Sequence, residues 1–233
     1  MIKRILPVLF AALLTLPSLT AKAQYTEGSP MTASRWRDYR RSSYMGLRFG
    51  VNIPTVQFKG TGGMAHTGTL PRFHVGFVAG QKLGNGLPFF FETGLYYTEK
   101  GVQIDATQET GERKITLRYL ELPAVIKYKI NTNVDDFTVQ PLFGGFIALG
   151  VGGQVKDYST RTKVIPFGDD RFKRFDAGLR VGCGAAFQNF YFEMAYDIGL
   201  FNLAGEKYAD YHYDNFDGHI RTGCFTMSLG IDF

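Results

Sequence analysis

The chain has 233 residues, of which 20% are charged and 15% are aromatic, and its formal net charge is +5. Removing the predicted export signal (residues 1–23, below) takes away Lys3, Arg4 and Lys22, which leaves 23 basic against 21 acidic residues and a net charge of +2. That charge gives no support for nucleic-acid binding. No apolar run near 18 residues follows the signal, which argues against a helical membrane protein.

The first 23 residues have the pattern of a secretory signal peptide. Lys3 and Arg4 precede an apolar run over residues 5–19, and Ala21-Lys22-Ala23 then offers a cleavage site. The apolar run is too short and wrongly flanked to be a transmembrane helix. The residue directly after the cleavage site is Gln24 and not a cysteine, so a lipid anchor is not indicated. We therefore expect an exported protein.

A polar arm follows the signal over residues 24–43, with Trp36 set among several arginines. We expect this arm to be a mobile or loosely helical segment. A plug or a contact with lipid headgroups is the alternative.

The clearest strand signal lies at residues 119–129, where Leu120, Ile126 and Tyr128 fall on one face and Glu121 and Lys127 on the other. Alternation with period two predicts a strand with one apolar and one polar face. The polar face carries both signs of charge, which favours the inside of a small barrel over an open, solvated sheet.

The same alternation recurs along the chain and predicts eight strands. We place them at 44–53, 71–82, 88–100, 119–129 (with an extension back to 113), 137–155, 172–187, 190–203 and 220–233. The connections between them alternate in length: 54–70, 101–112, 156–171 and 204–219 are long, whereas 83–87, 131–136 and 188–189 are short.

An even number of strands of this length, joined by long and short connections in turn, is typical of bacterial outer-membrane barrels. We therefore predict an all-β fold over residues 44–233: an eight-stranded antiparallel transmembrane β-barrel with short periplasmic turns and long outer loops. A soluble β-sandwich would alternate too, but it would not keep an apolar face of membrane-spanning length on every strand.

Prolines and cysteines give two local predictions. Pro123 and Pro141 each forfeit a ladder hydrogen bond, so we expect bulges at both positions.

Cys183 lies on an outward, apolar face and Cys224 on an inward face. Because side chains on opposite faces of a wall do not meet disulfide geometry, we predict two free thiols.

Charged side chains collect on the predicted inward faces. We interpret them as an interior polar network of ion pairs, because a charge buried alone is expensive and an eight-stranded barrel is just wide enough for side chains to fill it. A proton path or a conducting pore is the alternative. The network consists of Arg48, Glu92, Glu121, Lys127, Asp176, Arg180, Glu193 and Asp197.

Other candidate chemistry is weaker. The loop at 210–219 is rich in Asp and His, but its spacing fits neither an EF-hand nor a zinc motif, and we interpret it as a solvated turn; Asp169-Asp170 is similar. His74 is interpreted as hydrogen-bonded interior filler rather than a catalytic base. The sequence has no G-x-S-x-G, H-E-x-x-H or P-loop motif, so we expect no enzyme, cofactor or metal. An enzyme built from loop ends stays open as an alternative.

Three segments carry a resemblance to a known family. Tyr119-Leu120-Glu121-Leu122-Pro123 with Lys127-Tyr128, the segment Phe172 to Gly178, and Tyr196 to Leu203 resemble the PorT-like outer-membrane β-barrel family of Gram-negative bacteria. The resemblance implies outer-membrane lipid as the surroundings and a role beside a secretion or envelope-assembly complex. We therefore expect a structural or interaction module with a filled interior; a loop-site enzyme acting on lipid or peptide and a narrow pore are the alternatives.

Overall fold

The computed structural model describes most of the chain after residue 42. The described ranges are 43–60, 67–84, 88–104, 113–132, 136–157, 163–164, 166–167, 172–203 and 216–233. The predicted signal peptide, the arm up to residue 42, Asp169-Asp170 and the side chains of the 210–219 loop lie outside the described residues.

Eight long strands form the wall, and we label them in chain order. They are β1 (Ser43–Gly60), β2 (Arg72–Lys82), β3 (Phe89–Ile104), β4 (Arg113–Tyr128), β5 (Phe137–Asp157), β6 (Phe175–Phe187), β7 (Phe190–Gly199) and β8 (Phe216–Asp232). Of three short strands, Thr67–Leu70 pairs with β3, and Ile130–Asn131 and Lys163–Val164 pair with β5.

The wall closes on itself as an up-and-down barrel. Each strand pairs antiparallel with the next in sequence, and β8 pairs with β1. Met45 and Phe233 complete the seam through two backbone hydrogen bonds of 3.1 and 2.8 Å. The predicted eight-stranded antiparallel barrel is confirmed. We call the end with the short connections the turn end and the opposite end the loop end.

The two faces of the wall differ as the alternation predicts. Outward apolar side chains are left exposed, for example Phe49 at 53% and Phe143 at 60%, whereas the inward Arg48 and Lys127 are buried at 1% and 0%. A protein surrounded by water does not expose so continuous an apolar surface. The pattern is that of a barrel with lipid outside and polar side chains inside. No helix among the described residues is long and apolar enough to span a membrane.

Several strand boundaries differ from those predicted. β1 and β3 continue to Gly60 and Ile104, through segments that we assigned to loops. β6 begins at Phe175 instead of 172, and β7 ends at Gly199 instead of 203. In these extensions the apolar residues fall in the inward phase, for example the buried Val102, so they lack the apolar outward face from which the strand ends were predicted.

The predicted bulges at Pro123 and Pro141 are wrong. The register of β4 on β5 runs without a shift through Pro123, and that of β5 on β6 runs without a shift through Pro141. In an antiparallel ladder the N–H and C=O of one residue point to the same neighbouring strand. A proline therefore loses a backbone hydrogen bond to one of its two neighbouring strands only. For Pro123 that side is β3, where Thr93 Oγ1 donates to the proline carbonyl at 2.8 Å.

The bulge of this ladder lies five residues away from Pro123 instead. Arg118 pairs with Gly152 but Tyr119 pairs with Gly150, so Val151 is an extra residue in β5. Before this point the even-numbered residues of β5 face inward. Beyond it they face outward, because one extra residue shifts an alternation whose period is two residues. Gln154 and Lys156 therefore lie on the outward face.

The two cysteines lie on opposite faces of the wall. Cys183 is exposed on β6 and Cys224 is buried on β8, and both are free thiols. This prediction is confirmed.

Candidate functional site

The structure places all eight residues of the predicted network inside the barrel, where each is at most 7% exposed. They divide into two groups of four, one toward each end of the barrel. Each group contains a further charged residue, and we name the two groups the turn-end cluster (Arg48, Glu92, Lys127, Glu193 and Asp232) and the loop-end cluster (Lys100, Glu121, Asp176, Arg180 and Asp197).

The turn-end cluster is a chain of short ion pairs between five strands. Arg48 contacts Asp232 at 2.6 Å and Glu92 at 3.7 Å, and Lys127 contacts Glu92 at 2.7 Å and Glu193 at 3.1 Å. These strands meet across the barrel, so the pairs cross its interior as well as following its wall.

Tyr191 lies at the centre of the turn-end cluster. Its hydroxyl accepts a hydrogen bond from Lys127 Nζ at 2.7 Å and donates to Glu193 Oε2 at 2.6 Å. Its ring lies 4.2 Å from the charged groups of both Arg48 and Lys127. The ring therefore occupies the space between two cations and offers each of them a cation–π contact.

The loop-end cluster is organised by Arg180. Its Nε and Nη2 donate to Asp197 at 2.6 and 2.8 Å, and Nη2 also donates to Glu121 at 2.6 Å. Lys100 Nζ lies 3.6 Å from both Glu121 and Asp176, and Thr222 donates to Asp176 at 3.3 Å. The guanidinium bridges two carboxylates with the planar geometry that suits Arg better than Lys.

Two members of these clusters were missed in the sequence. The predicted network has three cations for five carboxylates, and Lys100 supplies a fourth cation. Lys100 lies at the predicted end of its strand, where we expected a loop to begin. The phase of β3 does place it inward, together with Glu92, and this was the signal that could have identified it. Asp232 lies on the same face of β8 as Cys224, which was predicted to be inward.

Neutral polar groups lie between the two clusters on the side of the barrel formed by β8, β1, β2 and β3. His74 Nδ1 lies 2.7 Å from Asn52 Oδ1, and His74 Nε2 lies 2.8 Å from Ser228 Oγ. Asn52 Nδ2 donates to Thr98 Oγ1 at 2.6 Å and to the Glu99 carbonyl at 2.9 Å. We name Asn52, His74, Thr98 and Ser228 the middle layer.

Packed rings occupy both ends of the interior. At the turn end, Lys129 Nζ lies 4.4 Å from the ring of Tyr44 and 4.1 Å from that of Phe90. At the loop end, buried apolar residues from the wall and the loops pack together, and the ring of Phe167 meets that of Tyr119 edge-on at 5.7 Å. This loop-end cap was not predicted. It consists of Ile115, Leu117, Tyr119, Phe146, Ala148, Phe167, Phe172 and Leu203.

The charges of the two clusters compensate one another. Each carboxylate of the two clusters has a cation within 3.7 Å, which is the condition under which charges are buried in proteins. Among the described residues, no group of three His, Cys, Asp or Glu side chains is arranged to hold a metal ion.

Solved structures with a similar fold include outer-membrane barrels. OprG from Pseudomonas aeruginosa is 12% identical with a TM-score of 0.49, over 82% of this chain and 96% of that one. Outer membrane protein W of E. coli is 14% identical with a TM-score of 0.44, over 82% and 98%. Ail of Yersinia pestis, solved with the heparin analogue sucrose octasulfate, is 12% identical with a TM-score of 0.42, over 82% and 99%.

No match to a curated protein was found. Residues 23–205, which are most of the chain, match the family model described as outer membrane protein beta-barrel domain. The turn end is therefore periplasmic and the loop end faces outward from the cell. The chain belongs to the outer membrane protein beta-barrel domain family and is a protein of the outer membrane.

Proposed function

We propose that this protein is a closed outer-membrane scaffold, a structural or interaction module that conducts no ions and catalyses no reaction. The observation that carries the proposal is the filled interior. The turn-end rings, the turn-end cluster, the middle layer, the loop-end cluster and the loop-end cap follow one another along the barrel axis. An ion would have to separate several buried ion pairs in order to pass.

The PorT-like resemblance supports a finer proposal. It favours partners in a secretion or envelope-assembly complex of the outer membrane, met at the loops or at the turn end. It accords with the proposed export signal at residues 1–23, and it calls for no cofactor.

Conductance in planar bilayers tests the closed interior. The wild-type protein should give no steady current steps above those of a protein-free bilayer, whereas a wide porin prepared in the same way should give them. Steady, ion-selective steps from the wild type would contradict the proposal. The variants Arg180→Gln and Arg221→Gln would then locate the path: Arg180 is inside the barrel, whereas Arg221 is exposed on β8. A change in the steps for Arg180→Gln alone would place a pore in the interior.

Affinity isolation tests the interaction role. The tagged full chain, extracted from its own outer membrane after mild cross-linking, should retain secretion or envelope-assembly proteins that an unrelated eight-stranded barrel does not retain. Recovery of the bare barrel alone, at every cross-linker concentration, would contradict an interaction role.

One observation favours an enzyme as the second candidate. Ser228 Oγ, the His74 ring and Asn52 Oδ1 follow one another at 2.8 and 2.7 Å, which are the distances of a nucleophile, its base and an orienting group. All three side chains are nevertheless at most 5% exposed. A fluorophosphonate probe should therefore leave the membrane-embedded protein unlabelled. An adduct on Ser228 that is absent from Ser228→Ala would replace the scaffold by a hydrolase.

A further inference from the structure

The loop-end border of the apolar belt lies at different heights around the barrel. On β3 and β4 the last outward apolar residues are Tyr97 and Leu120, and the next outward pair is Glu99 and Arg118, which form an ion pair of 2.8 Å. On β5, β6 and β7, exposed apolar side chains lie further toward the loop end. We name four of them, each 45–53% exposed, the rim ridge: Val151, Phe175, Leu200 and Phe201.

The register places the border residues of three strands in one row. Tyr97 pairs with Leu120, Leu120 pairs with Leu149, and Leu149 pairs with Phe175. The row therefore runs from the border of β3, through that of β4, to that of β6. A row of register partners is perpendicular to the strands. Because the strands of a barrel are tilted from its axis, such a row climbs along the axis as it goes around the wall.

Following the register once around the closed wall measures this climb. The row that starts at Met45 on β1 returns to β1 at Thr55, ten residues closer to the loop end. Ten residues of about 3.3 Å against eight strand spacings of about 4.8 Å correspond to a strand tilt of about 40°. The row therefore rises about 3 Å along the barrel axis at each strand, and Phe175 lies about 9 Å nearer to the loop end than Tyr97.

The climb brings polar and apolar outward side chains to the same height. Arg118 lies two residues beyond Leu120, a rise of about 5 Å along the axis, and Phe175 lies two strands further along the row, a rise of about 6 Å. The same spacings place Leu200 about 2 Å nearer to the loop end than Glu99, on the opposite side of the wall. In an upright barrel, a flat border between hydrocarbon and headgroups therefore misplaces one of the two sets.

Contacts with β6 and with the cap hold the rim ridge in place. The Leu200 N–H donates to the Ala177 carbonyl at 3.0 Å, so the chain continues along β6 after β7 has ended. Leu203 then lies in the loop-end cap, where it is 1% exposed. The Phe201 ring meets the Phe175 ring edge-on at 5.4 Å. The rim ridge is therefore part of the outward surface of the wall.

We propose that the barrel stands tilted in the outer membrane, so that the rim ridge lies in the hydrocarbon of the outer leaflet while Glu99 and Arg118 lie among its headgroups. The ridge continues the lipid-facing belt without a break, since Phe175 pairs with the belt residue Leu149. This continuity favours acyl chains over a protein partner as the surroundings of the ridge. Tilting is one of the ways in which a membrane protein matches its hydrophobic surface to a bilayer.

The tilt required is modest. Eight strand spacings of about 4.8 Å at this strand tilt give a wall about 16 Å across at the backbone. Leaning by about 15–20° toward β6 and β7 lowers that side by about 5 Å relative to the side of β2 and β3. This places Leu200 nearer to the bilayer centre than Glu99. The loop ends of β3 and β4 are then raised further from the membrane than those of β6 and β7.

Depth measurements on single cysteines test the tilt. The full chain with Cys183→Ser and Cys224→Ser carries one further substitution, Glu99→Cys or Leu200→Cys, and is labelled with a bimane and folded into phosphatidylcholine vesicles. Lipids brominated at different acyl positions quench the label according to its depth. An upright barrel puts the label at position 200 about 2 Å further from the bilayer centre than the label at position 99, whereas the tilted barrel puts it at least about 2 Å nearer.

A control pair should show no difference. Val51→Cys on β1 and Leu122→Cys on β4 are at about the same height in the barrel and equally far from the side of β6 and β7. The tilt moves both by the same amount, so their depths should agree within about 2 Å.

Two results would overturn the proposal. One is the upright order of depths for positions 99 and 200. The other is a label at position 200 that neither brominated lipid nor aqueous iodide quenches, because a protein such as a second copy of this chain would then cover the ridge. Should Glu99→Cys fail to fold, Tyr97→Cys and Ile198→Cys differ in height by the same amount and should show the same reversal.

Discussion

Arg180 is the residue whose removal should damage the barrel most. The substitution Arg180→Met keeps a long, flexible side chain but removes the cation that Asp197 and Glu121 share at 2.6 Å each. Glu121 keeps Lys100 at 3.6 Å, whereas Asp197 loses both of its hydrogen bonds to the guanidinium. Breaking a buried ion pair in this way costs about 3–5 kcal/mol, because a charge is left buried without a partner.

Urea unfolding in phosphatidylcholine vesicles measures this loss. Far-ultraviolet circular dichroism is the suitable signal, since it follows the strands of the wall directly, whereas the single tryptophan, Trp36, precedes β1 in the sequence. The control Arg221→Met removes an exposed cation and should change stability by no more than about 0.5 kcal/mol.

A second substitution tests the cause of the loss. Adding Asp197→Asn to Arg180→Met removes the stranded charge, so the double variant should be more stable than the sum of the two single losses by at least about 1 kcal/mol. A loss below about 1 kcal/mol for Arg180→Met, or strict additivity in the double variant, would refute the reasoning.

The remaining predictions concern the lipid belt and the packing of the interior. Val181 lies midway along the outward face of β6, so Val181→Arg should lower the free energy of unfolding in vesicles by about 2–4 kcal/mol. Phe187→Arg, beside the turn, should lower it by at most about 1 kcal/mol, and equal losses would contradict the depth of the belt. A Cβ at Gly76 would lie 2.5 Å from the Tyr96 ring, and one at Gly152 would have no described atom within 4 Å. Gly76→Ala should therefore lose about 1–3 kcal/mol and Gly152→Ala almost nothing, and the reverse order would contradict this packing.

The barrel could be predicted from the sequence because lipid and a filled interior impose a strict alternation on every strand. Leu120 and Ile126 must face lipid while Glu121 and Lys127 face inward, and no other register satisfies both. The same rule assigned opposite faces to Cys183 and Cys224.

The alternation rule fails beyond the lipid belt, where no lipid requires an apolar outward face. Beyond the belt, the outward positions of β1 and β3 hold polar residues such as Thr55 and Gln103, so no apolar outward face marks these parts, and Lys100 was taken as a strand end. The bulge at Val151 depends on how β5 pairs with β4, which a single strand does not reveal. The outward positions of Gln154 and Lys156 follow from that bulge, and they were missed for the same reason.

The native cysteines give the most direct test of the filled interior. Cys224 points into the barrel and is 1% exposed, whereas Cys183 is exposed on the lipid face. In wild-type protein in phosphatidylcholine vesicles, a charged methanethiosulfonate reagent on both sides should modify neither thiol. A lipid-phase maleimide should modify Cys183 alone, and both thiols should react once the protein is unfolded in urea. Intact mass reads all three results, and an adduct of the charged reagent on Cys224 in the folded barrel would show a water-filled path and contradict the closed scaffold.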